Sequence, residues 1–153
     1  MPTSELVSVP ALADLPHLVC TDGRVAFRCI YDVVWCTQYR ATVITDEIAT
    51  RLHEIIADVI AEKSAHLSEI AIAPTYVRLR VEISPRFGVH RLVKAVKSRS
   101  AGALRREFPS LRSRLPSLWT NSYLVSTVGV GTPSSTIRQY VDWQRTRRRP
   151  HEH

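Results

Sequence analysis

The chain has 153 residues, the length of one ordinary domain, and 44% of them are hydrophobic, enough for a continuous core without disulfides or metal. That size argues against a two-domain enzyme. The balance of 21 basic to 14 acidic residues, a formal +7, favours an anionic partner.

Charge is unevenly placed. Residues 1–85 carry 7 basic and 11 acidic groups, 86–114 carry 9 and 1, 115–137 carry none, and 138–153 carry 5 and 2, so everything beyond residue 85 sums to +11. Cys20, Cys29 and Cys36 form an odd set without a Cys-x-x-Cys pair, which indicates neither a disulfide framework nor a thiolate zinc site and fits a reducing cytoplasm. The first residues lack a signal-peptide pattern, and no apolar run approaches the roughly 20 residues of a membrane helix, so a cytoplasmic protein without membrane contact is expected.

Residues 1–22, interrupted by Pro2, Pro10 and Pro16, are expected to form an irregular arm ahead of one domain over 23–147, with 148–153 as a basic tail. Val25 to Thr37 is rich in β-branched and aromatic residues and predicts a long central strand. Thr45 as N-cap, Asp46 and Glu47 in the first turn, and Ile48, Leu52, Ile55, Ile56, Val59 and Ile60 at helical spacing predict a helix to about Ala65. Ile70 and Ile72 mark a short strand, and Pro74-Thr75 a turn. Val77, Leu79, Val81 and Ile83 then alternate with Tyr76, Arg78, Arg80 and Glu82, which places Tyr76, Arg78 and Arg80 on one strand face.

After a break at Pro85–Gly88, Val89, Leu92, Val93 and Val96 predict a helix with Arg91, Lys94 and Lys97 along one stripe, followed by a short helix from Ala101 to Phe108. Leu118 to Val128 reads as a strand. Thr132 and Pro133 open a last helix to about Arg147. The order is that of the split βαβ pattern, an α+β ferredoxin-like (RRM-like) antiparallel sheet with helices on one face and an appended C-terminal helix.

On that last helix Tyr140 and Gln144 are one turn apart, a spacing that on its own describes an amphipathic helix with a surface tyrosine. The segment Thr136-Ile137-Arg138-Gln139-Tyr140-Val141-Asp142-Trp143-Gln144 nevertheless resembles the tyrosine helix of the single-tyrosine HUH transposases, which move insertion sequences as single-stranded DNA. Val34-Trp35-Cys36-Thr37-Gln38-Tyr39-Arg40 is similar to the family's first strand and its exit, Val96-Lys97-Ser98-Arg99-Ser100 to its basic helix, and Trp119 with Ser122-Tyr123-Leu124-Val125-Ser126-Thr127-Val128-Gly129 to its last strand.

The resemblance implies that Tyr140 attacks a phosphodiester to leave a covalent 5′-phosphotyrosine and a free 3′-OH. It also implies a divalent metal, magnesium or manganese, held by two histidines of a His-hydrophobic-His motif and by the residue matching Gln144. Both histidines are missing: Tyr76 and Arg78 stand in their places. A phenol is a poor ligand near neutral pH and a guanidinium has no lone pair to give, so no metal and no other cofactor is expected at the usual position. Arg78 could take over the cation's work there, with Arg80 beside it.

Arg80, Arg91, Lys94, Lys97, Arg99, Arg105 and Arg106 are the candidate DNA-binding residues, extended by Arg112 and Arg114, and the implied partners are a DNA hairpin with single-stranded flanks and a second copy of the chain. The tail with Arg145 and Arg147-Arg148-Arg149 either touches DNA or ends as a disordered basic segment. Two other readings stay open: a transposase-derived DNA-binding protein without cutting activity, and an RNA-binding ferredoxin-like module stacking bases on Tyr31, Trp35 and Tyr76.

Overall fold

The computed structural model describes residues 20–128, 137–138 and 140–142. Its first element corrects the expected arm. Cys20–Asp22 is a strand, β1, paired antiparallel with β2, Val25–Phe27. Gly23 turns the hairpin at φ +63, where glycine has no steric penalty; a Cβ there would also meet Arg86 Nη1 at 2.6 Å. The expected long strand is therefore two: β2 pairs away from the main sheet, and β3, Ile30–Cys36, begins after Arg28-Cys29. The corner is fixed where the Cys29 N–H donates to the buried Glu82 carboxylate at 3.0 Å.

Thr45 caps α1, Asp46–Glu62, by accepting from the Ile48 N–H at 3.3 Å, and the six predicted apolar residues are all buried. The helix ends three residues short of Ala65 because Ser64 turns left-handed at φ +58. The strands β4, His66–Ala73, and β5, Tyr76–Glu82, flank the Pro74-Thr75 turn, and the alternation on β5 is as read: Val77, Leu79 and Val81 are buried. A second correction concerns the basic helix. α2 runs unbroken over Val89–Glu107, and the short helix is α3, Pro109–Arg114, with the proline at its N1 position. Ser100 does not interrupt α2, because it is buried and bonded: its hydroxyl accepts from the Trp119 indole at 3.0 Å.

The sheet order is β4-β5-β3-β6, antiparallel throughout, with β6 limited to Leu124–Thr127. This order, with α1 between β3 and β4 and α2 and α3 between β5 and β6, is the split βαβ arrangement of an α+β domain. Val33, Trp35, Ile70, Val77, Leu79 and Val81 share one core with the inner faces of the helices, leaving the opposite sheet face open. Ile137, Arg138 and Tyr140 to Asp142 are helical, as predicted; the other residues of the expected last helix, Gln144 included, lie outside the described residues. No helix among the described residues is long and apolar enough to cross a membrane.

The expected strand Leu118–Val128 is broken in its first half. Thr37 bridges Trp119 and Val34 pairs with Leu124, so two residues of β3 face four of the opposing chain. The extra residues loop out toward α2, where Lys97 Nζ donates to the carbonyls of Thr120 at 2.7 Å and Ser122 at 3.0 Å. Those carbonyls are spent on an ammonium instead of a ladder.

Candidate active site

The ladder register assembles the open face. Arg78 lies opposite Val34 on one side and Ala71 on the other, Arg80 opposite Asp32 and Glu69, and Tyr76 opposite Cys36 and Ala73. Leu124 and Ser126 of β6 continue the same two rows beyond Val34 and Asp32. The face thus carries two arginines with Asp32 and Glu69 among small and apolar side chains, and the buried Glu82 follows Arg80 in the same row of β5.

These charges are not equivalent. Arg80 closes on Asp32 through Nε at 2.9 Å and Nη2 at 3.0 Å, with Glu69 at 3.9 Å, and its side chain is only 21% exposed. The bond to Asp32 raises its pKa against the effect of burial. Arg78 reaches the same carboxylate only at 3.9 Å and is 44% exposed. Arg78 is the cation with room to turn toward a phosphate; Arg80 is held as part of the sheet.

The two positions at which the resemblance implies metal-binding histidines do not fit that role, since Tyr76 offers a phenol and Arg78 no lone pair. Among the described residues no three His, Cys, Asp or Glu side chains come together as a metal-ligand group. Tyr140 is 42% exposed on its helical turn.

The predicted DNA surface divides in a similar way. Arg91 and Lys94 are exposed on α2, Arg91 over the Phe87 ring at 4.2 Å, whereas Lys97 turns inward to its two carbonyls and burial lowers its pKa. Arg99 pairs with Glu62 at 2.9 Å, Arg105 donates to the Leu115 carbonyl at 2.9 Å, and Arg106 is exposed. Between α2 and the looped segment lies a cleft of about 410 Å³, lined among others by His90, Lys94, Lys97, Asn121 and Tyr123. His90 Nδ1 and the Tyr123 hydroxyl are hydrogen-bonded at 3.0 Å across its mouth.

Sequence reasoning missed Asp32 and Glu69. Alternation along Ile30–Cys36 puts Asp32 on the Val34 face, but only the ladder register shows that it meets Arg80. The base-stacking reading loses two of its three aromatics: Trp35 is buried at 1% exposure against Trp119, and Tyr31 packs on the core.

A family model described as "Transposase IS200 like" matches residues 25–144. The ISDra2 transposase TnpA of Deinococcus radiodurans is 30% identical over 116 residues, 74% of this chain and 82% of the relative. The transposase for insertion sequence element IS200 of Salmonella typhimurium is 23% identical over 120 residues, 77% of this chain and 78% of that one. Among solved structures, a transposase-family protein of Deinococcus radiodurans superposes with a TM-score of 0.65 at 32% identity, over 82% of this chain and 98% of that one. A REP-associated tyrosine transposase bound to a REP hairpin superposes at 0.51 and 10% identity, over 80% and 68%, a likeness of fold.

Proposed function

The chain belongs to the IS200-like transposase family, and we propose that it cuts single-stranded DNA beside a hairpin through a covalent tyrosine intermediate. The observation that carries this reading is the family match over residues 25–144, which takes in both the strand of Arg78 and the helical turn of Tyr140.

In the proposed step the Tyr140 Oη forms a bond to phosphorus as the P–O3′ bond breaks. The phenol proton ends on the departing 3′-oxygen, directly or through water, leaving a 5′-phosphotyrosine and a free 3′-OH. Gln144, four residues after Tyr140 in sequence, would orient the same phosphate. Negative charge accumulates on the non-bridging oxygens, and Arg78 is the group on the open face able to meet it with charge-assisted hydrogen bonds. Tyr76, beside it and 42% exposed, would line the path of the strand.

Arg91, Lys94 and Arg106 would hold the duplex stem through its phosphates. Pairing of two copies would use β6, an edge among the described strands whose four residues are all exposed; a monomeric mass by light scattering would count against it.

The deciding experiment is cleavage of a hairpin-bearing single strand in excess EDTA, with mass spectrometry of the protein–DNA product. We expect an adduct on Tyr140, none with Tyr140→Phe, and a rate about 100- to 1000-fold lower with Arg78→Ala, the loss of one well-aimed donor. Binding without any adduct would instead support the non-cutting DNA-binding reading. Preference for the same hairpin made of RNA would support the RNA-binding one.

A further inference from the structure

We infer that Tyr39 is a stacking platform for an unpaired base of the single strand next to the cut, a substrate-positioning residue; this rests on the DNA reading above. The first observation is backbone geometry. Tyr39 (φ 59, ψ 15) and Arg40 (φ 55) are consecutive non-glycine residues in the left-handed region, where a Cβ crowds the backbone. Glycine or asparagine would turn the chain there with less strain.

The surroundings over-determine that conformation. Thr37 is completely buried and acts as its anchor: its hydroxyl donates to Ala41 O at 2.8 Å, its N–H donates to Thr75 O at 2.9 Å, and its carbonyl accepts from the Arg40 N–H at 2.9 Å. The Ala41 N–H donates back to Gln38 O at 3.2 Å, and the Gln38 N–H donates to Leu118 O at 2.8 Å. All this fixes the backbone beneath a side chain that stands outside the core. At 75% exposure Tyr39 is the most exposed large apolar residue among those described.

Its position fits the use. The Thr37–Thr75 bond ties the backbone two residues before Tyr39 to that one residue before Tyr76, and Tyr76 lies opposite Cys36 on the open face. The turn that carries Tyr39 therefore leaves the sheet at the end where Tyr76 stands, with Arg78 the next residue inward on the same face of β5. A strand with a phosphate at Arg78 carries its next bases toward the two exposed phenol rings, with exposed Arg40 beside them for backbone phosphate. An aromatic face accepts any base, which suits a single strand passing a fixed cut point.

The test uses the full chain and two oligonucleotides, a blunt DNA hairpin and the same hairpin with an unpaired flank containing 2-aminopurine. Tyr39→Gly should weaken binding of the flanked hairpin by about 5- to 150-fold, the range for one base–aromatic stack, and abolish quenching of 2-aminopurine. Blunt-hairpin affinity should stay unchanged. Tyr39→Phe and Tyr39→Trp should keep both affinity and quenching. Because glycine relieves the positive φ, Tyr39→Gly should melt no lower than wild type, so lost binding cannot be assigned to unfolding. Flanked-hairpin binding and quenching by Tyr39→Gly equal to wild type would overturn the inference alone; wild-type protein that binds neither oligonucleotide would overturn the DNA reading and the inference with it.

Discussion

Arg80 grips Asp32 from the directly opposite register position, Nε to Oδ1 at 2.9 Å and Nη2 to Oδ2 at 3.0 Å, while Arg78 stands 3.9 Å from the same carboxylate. Two arginines that look interchangeable along the strand thus differ in what they can do. The bidentate pair keeps Asp32 occupied, and Arg78 remains the more exposed and more loosely held positive charge on the face.

Asp32→Asn tests this division. The amide cannot accept both guanidinium hydrogen bonds as a charged partner, so a half-buried Arg80 loses its counter-charge and stability should fall by about 1–3 kcal/mol. Urea denaturation measures the loss. Freed of the carboxylate, the face becomes more cationic, and DNA affinity should rise with a steeper salt dependence. Unchanged stability and salt slope would show that the pair does not govern the face.

Lys97 and Lys94 lie on one stripe of α2 but are predicted to separate in the same salt titration. Lys94→Met should lower the slope of log affinity against log salt by about 0.9, the loss of one phosphate contact. Lys97→Met should leave the slope alone and instead destabilise the fold by about 1–3 kcal/mol, because the Thr120 and Ser122 carbonyls lose their donor. The opposite pattern would make Lys97 the phosphate ligand.

The legible parts of this fold were those specified locally. The Thr45 cap and six apolar residues define α1, and alternation over Tyr76–Glu82 sets which side of β5 is open. What failed depends on distant partners. Val25–Phe27 and Ile30–Cys36 have the same β-forming composition, and only pairing with Cys20–Asp22 divides them. The apolar pattern of Val89–Val96 and the segment Ala101–Phe108 read as two helices, yet they are one, and the Trp119–Ser100 bond at their junction is a tertiary contact that no local pattern announces. Likewise nothing local in Leu118–Val128 announces that Lys97 will draw out two carbonyls. At the candidate site, Arg78 and Tyr76 were visible from the strand period, whereas the restraint on Arg80 required the register.

Glu82 predicts a pH dependence. Burial raises its pKa above the usual value, against the lowering effect of the Cys29 N–H and of Arg28. The folded state therefore binds the proton more tightly than the unfolded chain, so stability falls as pH climbs from about 4.5 through the raised pKa, and the cost is fully present above it. Glu82→Gln keeps an oxygen acceptor for Cys29 and removes the charge. Its urea midpoint should exceed wild type at pH 7 and vary less between pH 4 and 7. A variant less stable at pH 7 would mean that attraction from Arg28 outweighs desolvation.

The His-hydrophobic-His pattern that the resemblance implies can be installed on β5. Tyr76 and Arg78 project from the same face of β5 with buried Val77 between them, so Tyr76→His/Arg78→His places two imidazoles on the open face at the spacing of a His-hydrophobic-His motif. Each imidazole supplies the lone pair that phenol and guanidinium withhold. The 3.9 Å contact to Asp32 and part of the packing of the Tyr76 ring are lost, so stability should fall by about 1–2 kcal/mol. The double variant should bind manganese by calorimetry and cut hairpin-bearing DNA only when magnesium or manganese is added, whereas the wild-type chain should cut in excess EDTA. If the variant cuts in EDTA as fast as wild type, then neither Arg78 nor a metal at this position supplies the positive charge, and the phosphate must be held from elsewhere.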